Sequence, residues 1–229
     1  TGINPALRET MIPAMVVFAI LAATLLGLPD PLVTAREAGI FRSYKINGVP
    51  AFSILVIPAL TTVLHTAMVT IIITATAPLF FDAPLPVNWL GFIVTFLLMA
   101  FACAGLSVLI AVVSSSSRMT VLWSPLIFLP SMLLGGMMIS YSMLPEAMGK
   151  IAQLLPATHA MNAFRGLSQN MIADFNPSGS LIVLLASGVL AFGLAIYLFN
   201  WDSRNMTQRG HPLMALLSLL PYAIGIFLL

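Results

Sequence analysis

The sequence predicts an all-α integral membrane protein, and three observations support this fold class. Hydrophobic residues make up 60% of the 229 residues and charged residues 7%, whereas a soluble domain averages roughly 25% charged residues. Apolar runs recur along the chain at lengths close to the roughly 20 helical residues that cross a bilayer core. No hydrophilic stretch is long enough for a second domain. We therefore expect a single transmembrane domain over residues 1–229.

The apolar runs predict a bundle of about six transmembrane helices. In chain order, the runs cover residues 11–28, 52–75, 89–113, 121–141, 181–201 and 213–229. The last run is the shortest of the set. Trp89 and Trp201 stand at span ends, where amphipathic rings favour the membrane interface, so we interpret both as anchors.

Lysine and arginine in the connecting segments predict the orientation of the bundle. The connections after the first, third and fifth spans carry six cations, which are Arg36, Arg42, Lys45, Arg118, Arg204 and Arg209. Only Arg8, Lys150 and Arg165 fall on the opposite side. Because cytoplasmic loops carry the excess of positive charge, we assign the first group to the cytoplasm.

Two short amphipathic segments follow the fourth run. The first begins at Pro145, with Glu146 and Lys150 on its polar face, and Pro156 ends it. The second begins near Thr158 and carries Arg165 on its polar face. Neither segment is long enough to cross a bilayer. We expect an extracytoplasmic re-entrant helical hairpin.

The connection over residues 29–50 is the most charged part of the chain. Thr34 can cap a short helix, with Glu37 three residues later as its capping-box partner. The expected helix has an apolar patch (Ile40, Phe41 and Tyr44) and a basic patch (Arg36, Arg42 and Lys45), and Asn47-Gly48 ends it in a turn. Two interpretations follow from the residues: a helix resting on anionic lipid headgroups, or a docking helix for a partner protein.

A stripe of threonines runs along the second span. Thr62, Thr66, Thr70 and Thr74 recur every four residues, and His65 lies beside them. The hydroxyls can bond within their own helix or to a neighbouring helix. Alternatively, the stripe lines a substrate path, since polar side chains in membranes face the bundle interior or a wet cavity.

The sequence lacks the motifs that identify several other functional classes. No span carries a charged residue in its middle, which argues against a carrier driven by protons or sodium. His65, His159 and His211 have no metal-ligand spacing, and a phosphate-binding G-x-x-x-x-G-K-[ST] loop is absent. We predict no catalytic residues and no metal site. The net charge of +2 does not suggest nucleic-acid binding, and we expect Cys103 to pack in the core.

Features in two parts of the chain resemble the permease domain of type-2 ATP-binding-cassette (ABC) exporters, a family that exports drugs, lipids and polysaccharides. The matching residues after the fourth span are Gly135-Gly136, Leu144-Pro145-Glu146, Leu154-Leu155-Pro156, Thr158-His159 and Arg165. In the first connection, Arg36-Glu37-Ala38-Gly39 resembles the Arg-Glu-x-Gly at the start of the family's coupling helix. The resemblance covers residues 11–201. Gly135-Gly136 also indicates a close helix contact or a break in the fourth span.

The resemblance implies that residues 36–45 form a coupling helix in a groove on a separate ATPase subunit. The implied coupling residues are Arg36, Glu37, Gly39, Ile40, Phe41, Tyr44 and Lys45. ATP and magnesium would bind the ATPase, and this chain would hold no cofactor. A second permease subunit, identical or different, and membrane lipids are the other expected partners.

The implied function is export of a hydrophobic or amphipathic substrate from a prokaryotic cell, through its inner or plasma membrane. The alternatives are a gradient-driven carrier or channel, or a membrane-embedded assembly protein without transport. Because the chain begins at Thr1, we expect that the family's first span precedes it. Residues 213–229 would then be an additional span.

Overall fold

The computed structural model describes residues 5–201 and 210–228, and these ranges contain helices but no strand. The α-helices are α1 (Pro5–Leu21), α2 (Pro29–Glu37), α3 (Ile40–Ile46), α4 (Ala51–Phe81), α5 (Trp89–Val113), α6 (Ser117–Leu134), α7 (Glu146–Ala152), α8 (Pro156–Ala163), α9 (Pro177–Leu198) and α10 (Leu220–Leu228). Within the described ranges, five helices are long and apolar enough to cross a membrane: Arg8–Glu37, α4, α5, α6 and α9. The prediction of an all-α membrane bundle is confirmed.

The first spanning helix is longer than the sequence predicted. α1 passes through a π-helical segment, Ala22–Leu26, into α2, which makes a rod of 30 residues from Arg8. At 1.5 Å per residue a helix of this length measures about 45 Å, against a bilayer core of about 30 Å, so the segment is long enough for α2 to extend beyond the core. The predicted helix start at Thr34 is wrong, because α2 begins at Pro29, whose missing N–H costs nothing in a first turn.

α5 is the central helix of the bundle, and α9 packs most closely against it. In the most apolar window of α5, 72% of the residues are buried, compared with 17% in α4. A Cβ atom at Gly105 would lie 3.1 Å from the carbonyl oxygen of Gly188, so the two glycines allow the backbones to approach. The rings of Phe101 and Phe192 stack beside this contact at 5.2 Å. Cys103 is buried, as predicted.

The bounds of the spans follow local capping signals. α5 has both of its predicted bounds, and the Asn88 side chain accepts a hydrogen bond from the Gly91 N–H at its start. α6 ends at Leu134, seven residues before the predicted end at 141, because two glycines follow. A Cβ at Gly135 would lie 2.6 Å from the Cβ of Ala157, and Gly136 has a φ of 87°. Both predicted roles of the glycine pair, close contact and helix break, are therefore observed.

The sixth predicted span is a shorter element. It consists of a 3₁₀ helix, Pro212–Leu219, followed by α10, and it is not among the five helices of spanning length. Because a 3₁₀ helix rises about 2.0 Å per residue, the pair still extends about 30 Å. Gly210 lies beside Leu198 at one end of α9, and Tyr222 packs on His159 in the hairpin. The element therefore runs alongside α9 towards the hairpin.

Candidate functional site

The predicted coupling residues lie where α2 ends and α3 begins. Gly39 separates the two helices with a φ of 77°, a left-handed conformation that glycine adopts without steric cost. Asn47-Gly48 forms the predicted turn after α3, with a φ of 75° at Gly48. The Asn47 side-chain amide donates to the Ser43 carbonyl at 2.8 Å. We call residues 36–46 the docking segment.

The structure divides the predicted apolar patch of this segment into an outer and an inner part. Ile40 and Tyr44 are each 42% exposed, and Glu37, Gly39 and Lys45 are exposed as well. Phe41, in contrast, is 4% exposed and its ring lies 5.8 Å from that of Phe199. The prediction that Phe41 is a surface anchor is wrong as to its place, because its ring belongs to the core.

Arg36 also points into the protein instead of outward. Its Nη1 donates to the Val112 carbonyl at 3.0 Å, and its Nη2 donates to the Ser114 carbonyl. The last carbonyls of a helix have no partner within the helix and form the negative end of its dipole. Arg36 is 7% exposed and caps the end of α5 with its guanidinium group.

The same end of α2 contacts the turn between α5 and α6. Ser117 Oγ donates to Glu37 Oε2 at 3.1 Å and lies 3.0 Å from Thr34 Oγ1. A second contact lies one turn nearer the start of α2 and one turn later in α6, where Thr120 Oγ1 is 3.4 Å from Asp30 Oδ1. The sequence alone did not predict these contacts of the run Ser114–Ser117. Nothing in its spacing indicates partners about 80 residues away.

Most of the threonine stripe lies on a buried face of α4. Thr66, Thr70 and Thr74 are buried, and Thr62 is half-buried. The hydroxyl groups of Thr62, Thr66 and Thr74 each donate to the carbonyl four residues back in the same helix. His65 is exposed, with Nδ1 2.9 Å from the Thr61 carbonyl. The first interpretation, bonding within the helix, is therefore observed, and lining of a substrate path stays a prediction.

The hairpin forms as two short helices, as predicted, but its second helix lies deeper than expected. All eight residues of α8 are buried, including Thr158, His159 and Asn162. Pro156 opens α8, and Pro145 directly precedes α7. On α7, Lys150 donates to Glu146 at 2.8 Å, and this hydrogen bond lowers the pKa of the exposed Glu146.

His159 is the most enclosed polar side chain of the predicted hairpin residues. It is fully buried, and Nε2 lies 2.8 Å from the Gln153 carbonyl. Since a carbonyl only accepts, Nε2 carries the proton, and Nδ1 has no partner among the described residues. Burial lowers the pKa of His159 to about 4, so the ring is neutral at pH 7.

Asn162, which the sequence did not single out as a site residue, holds the loop after the hairpin. Its Nδ2 donates to the Phe175 carbonyl at 2.9 Å and to Ser180 Oγ at 3.1 Å. Its Oδ1 accepts from the backbone N–H groups of Asp174 and Phe175. Beside it, Arg165 and Asp174 form an ion pair at 2.7 Å. These contacts fix the hairpin against the start of α9.

The described residues contain no group of three or more His, Cys, Asp or Glu side chains that could hold a metal. Arg204 and Arg209, two of the predicted cytoplasmic cations, lie outside the described residues. Of the other seven cations, Arg36, Arg42, Lys45 and Arg118 lie around the docking segment and the α5–α6 turn. At the other end of the bundle, Arg8 pairs with Asp82 at 3.3 Å, and Lys150 and Arg165 lie in the hairpin.

The helical bundle, its spanning helices and its projecting segment together define a multi-pass membrane protein. The profile of the ABC-2 type transporter family matches residues 2–168, from the start of α1 to the end of the hairpin. The chain belongs to this family and is a permease subunit of an ABC transporter. The family implies partnership with an ABC ATPase subunit. Comparisons with curated proteins and with solved structures give no match.

Proposed function

We propose that this chain forms the membrane pathway of an exporter that moves a hydrophobic or amphipathic molecule, such as a drug, a lipid or a glycan-lipid, out of the cytoplasm. ATP and Mg²⁺ bind the partner ATPase, and this chain supplies the path and the docking surface. The observation that carries the proposal is the exposed Ile40 and Tyr44 face of α3. It lies beyond the end of a rod that is longer than the bilayer core is thick.

The orientation follows from the distribution of cations at the two ends of the bundle. Arg36, Arg42, Lys45 and Arg118 cluster at the docking end, which supports a cytoplasmic location for it. The hairpin then faces outward, where it shapes the exit of the pathway. The membrane is the inner or plasma membrane of a prokaryotic cell.

A second permease chain completes the pathway in this proposal. The apolar windows of α4 and α6 are only 17% and 22% buried within the chain, whereas that of α5 is 72% buried. Such apolar faces meet either lipid or another transmembrane helix. We expect the second chain, identical or homologous, to cover part of these faces and lipid to cover the rest.

The test compares the outer side chains of the docking segment, Ile40 and Tyr44, with its inner side chain, Phe41. Buried aromatic anchors at an interface typically contribute about 2 kcal/mol or more each. In Ile40→Ala with Tyr44→Ala, we expect much lower recovery of the co-expressed ATPase with the purified permease and loss of ATP-driven export. The thermal unfolding temperature in detergent should stay unchanged, because both side chains are already exposed.

Phe41→Ala, in contrast, should lower the unfolding temperature, because the Phe41 ring belongs to the core. Removing a core phenylalanine typically costs about 3–5 kcal/mol, so the unfolding temperature should fall. The matched control is Ile172→Ala, since Ile172 is 90% exposed and lies beyond the hairpin. This variant should retain ATPase binding, export and stability. Normal ATPase recovery in the Ile40 and Tyr44 double variant would refute α3 as the docking surface.

A further inference from the structure

We infer that α2 and the α5–α6 turn form a latch, which passes the movement of the docking segment directly into α5 and α6. The latch consists of four α2 residues and their partners: Asp30, Thr34, Arg36 and Glu37 with Val112, Ser114, Ser117 and Thr120. Arg36 and Ser117 act in it as positioning residues. The inference rests on the proposed function, because a docked ATPase supplies the movement.

The contacts of the latch with α6 lie on one face of α2. Asp30, Thr34 and Glu37 follow the i, i+4, i+7 spacing that places side chains on one side of a helix. Their partners Ser117 and Thr120 are three residues apart in the first turn of α6, which is also a same-face spacing. The two helices therefore meet along two successive turns, and α2 cannot shift along α6 by one turn without breaking all three contacts.

Arg36 extends the latch from α6 to α5. Its guanidinium donates to two carbonyls at the end of α5, the helix with the most buried window. A shift of α2 therefore pulls on the end of a helix of 25 residues, about 37 Å long. Because the core around α5 is close-packed, α5 moves as a stiff rod.

The opposite end of α5 holds the hairpin. The N–H groups of Val87 and Asn88, just before α5, both donate to the Ser168 carbonyl at 3.0 Å. The ring of Phe92, in the first turn of α5, lies 5.2 Å from that of Phe164. The docking segment and the hairpin are thus joined through one helix, with hydrogen-bonded contacts at both of its ends. Movement at the ATPase can reach the exit by this route.

The exposure of the latch residues separates this role from a purely structural one. Thr34 and Glu37 are exposed, and Ser117 is half-buried. Hydrogen bonds between groups that water can reach contribute little to stability, because water replaces the lost partner. Removing these contacts should therefore change how the segments move together while leaving the folded state nearly as stable.

The first experiment compares Ser117→Ala with Ser115→Ala, an exposed serine of the same turn, in vesicles containing permease and ATPase. We expect Ser117→Ala to recover ATPase normally and to unfold at the wild-type temperature. Its export per ATP hydrolysed should fall by about twofold to threefold, since a hydrogen bond that water can reach lies at the low end of the ordinary range. Ser115→Ala should match the wild type. Unchanged export per ATP in Ser117→Ala would overturn the latch.

The second experiment asks whether the two sides of the latch move together. Thr34→Cys and Ser117→Cys are combined with Cys103→Ala, and the disulfide is formed by mild oxidation. Because the latch stays closed during the cycle, we expect the oxidised and reduced proteins to export equally well. Loss of export on oxidation that a reductant restores would contradict the inference. Absence of ATP-driven export in the wild type would instead refute the proposed function, so the two failures are distinguishable.

Discussion

α4 and α8 both bury polar side chains inside an apolar bundle, but they satisfy them differently. On α4, the hydroxyls of Thr62, Thr66 and Thr74 donate to carbonyls four residues back in the same helix, and the buried Thr70 hydroxyl has no partner among the described residues. On α8, Thr158 and His159 bond to carbonyls six residues away, and Asn162 reaches Phe175 and Ser180. The three bonded α4 groups need no other segment, whereas the α8 groups need a particular fold around them.

This difference determines what each polar residue contributes. A threonine that bonds to its own helix keeps its partner wherever the helix goes, so it specifies little about the tertiary structure. A buried amide that bonds to a distant loop leaves donors unpaired unless that loop is in place. The hairpin is therefore specified by polar contacts, and α4 is free to pack by shape alone.

The largest expected effect is that of Asn162→Ala. The change leaves the N–H groups of Asp174 and Phe175 without the acceptor they share. In total the change removes the four hydrogen bonds of Asn162, and at about 1 kcal/mol for each we expect the free energy of unfolding to fall by about 3–4 kcal/mol. Unfolding in detergent, followed by intrinsic fluorescence, measures this change. If Asn162→Ala lowers the free energy of unfolding by less than Thr66→Val on α4 does, the comparison between the two helices is wrong.

An intermediate effect is expected from the titration of His159. Its pKa is about 4 in the folded protein, against an ordinary value of 6.5. Because the unfolded chain binds the proton more tightly, the stability is complete above pH 6.5 and is lost as the pH falls towards 4. Between pH 8 and pH 5 the loss should be about 2 kcal/mol.

The matched variant for this titration is His159→Gln, which can still donate to the Gln153 carbonyl but does not titrate. Unfolding temperatures of both proteins are measured from pH 8 to pH 5, and the difference between the two curves isolates His159. We expect the wild type to lose more stability than the variant. Parallel curves would show that the ring is not held neutral between Phe175 and Tyr222, which it contacts in this structure.

The sequence predicted those parts of the fold that depend on local signals. The membrane bundle follows from composition and run length, α5 has both of its predicted bounds, and Gly135-Gly136 ends α6 as a glycine pair should. The capping box at Thr34 was wrong, because a helix that started at Pro29 was already in progress. A capping pattern identifies a helix start only when the preceding residues are not helical.

The structure corrects the predicted direction of two side chains in the docking segment, and its docking role stays a prediction. Ile40, Tyr44 and Lys45 are exposed on this segment. Arg36 and Phe41 point inward, because the carbonyls of Val112 and Ser114 and the ring of Phe199 are there to receive them. Periodicity along one helix carries no information about partners that are 70 to 160 positions away. These contacts depend on how the whole chain folds.

The smallest expected effect is that of Thr66→Val, and it separates the two interpretations of the threonine stripe. Thr66 is 2% exposed and donates to the Thr62 carbonyl at 2.8 Å. Valine has nearly the same shape, and that carbonyl keeps the backbone hydrogen bond of the helix, so the loss should be about 0.6 kcal/mol, an average value for side-chain hydrogen bonds in membrane helices. If the stripe only packs within the bundle, export per ATP and substrate preference stay unchanged. A changed preference at wild-type stability would show that the hydroxyl meets the substrate, and α4 would then have a polar role comparable to that of α8.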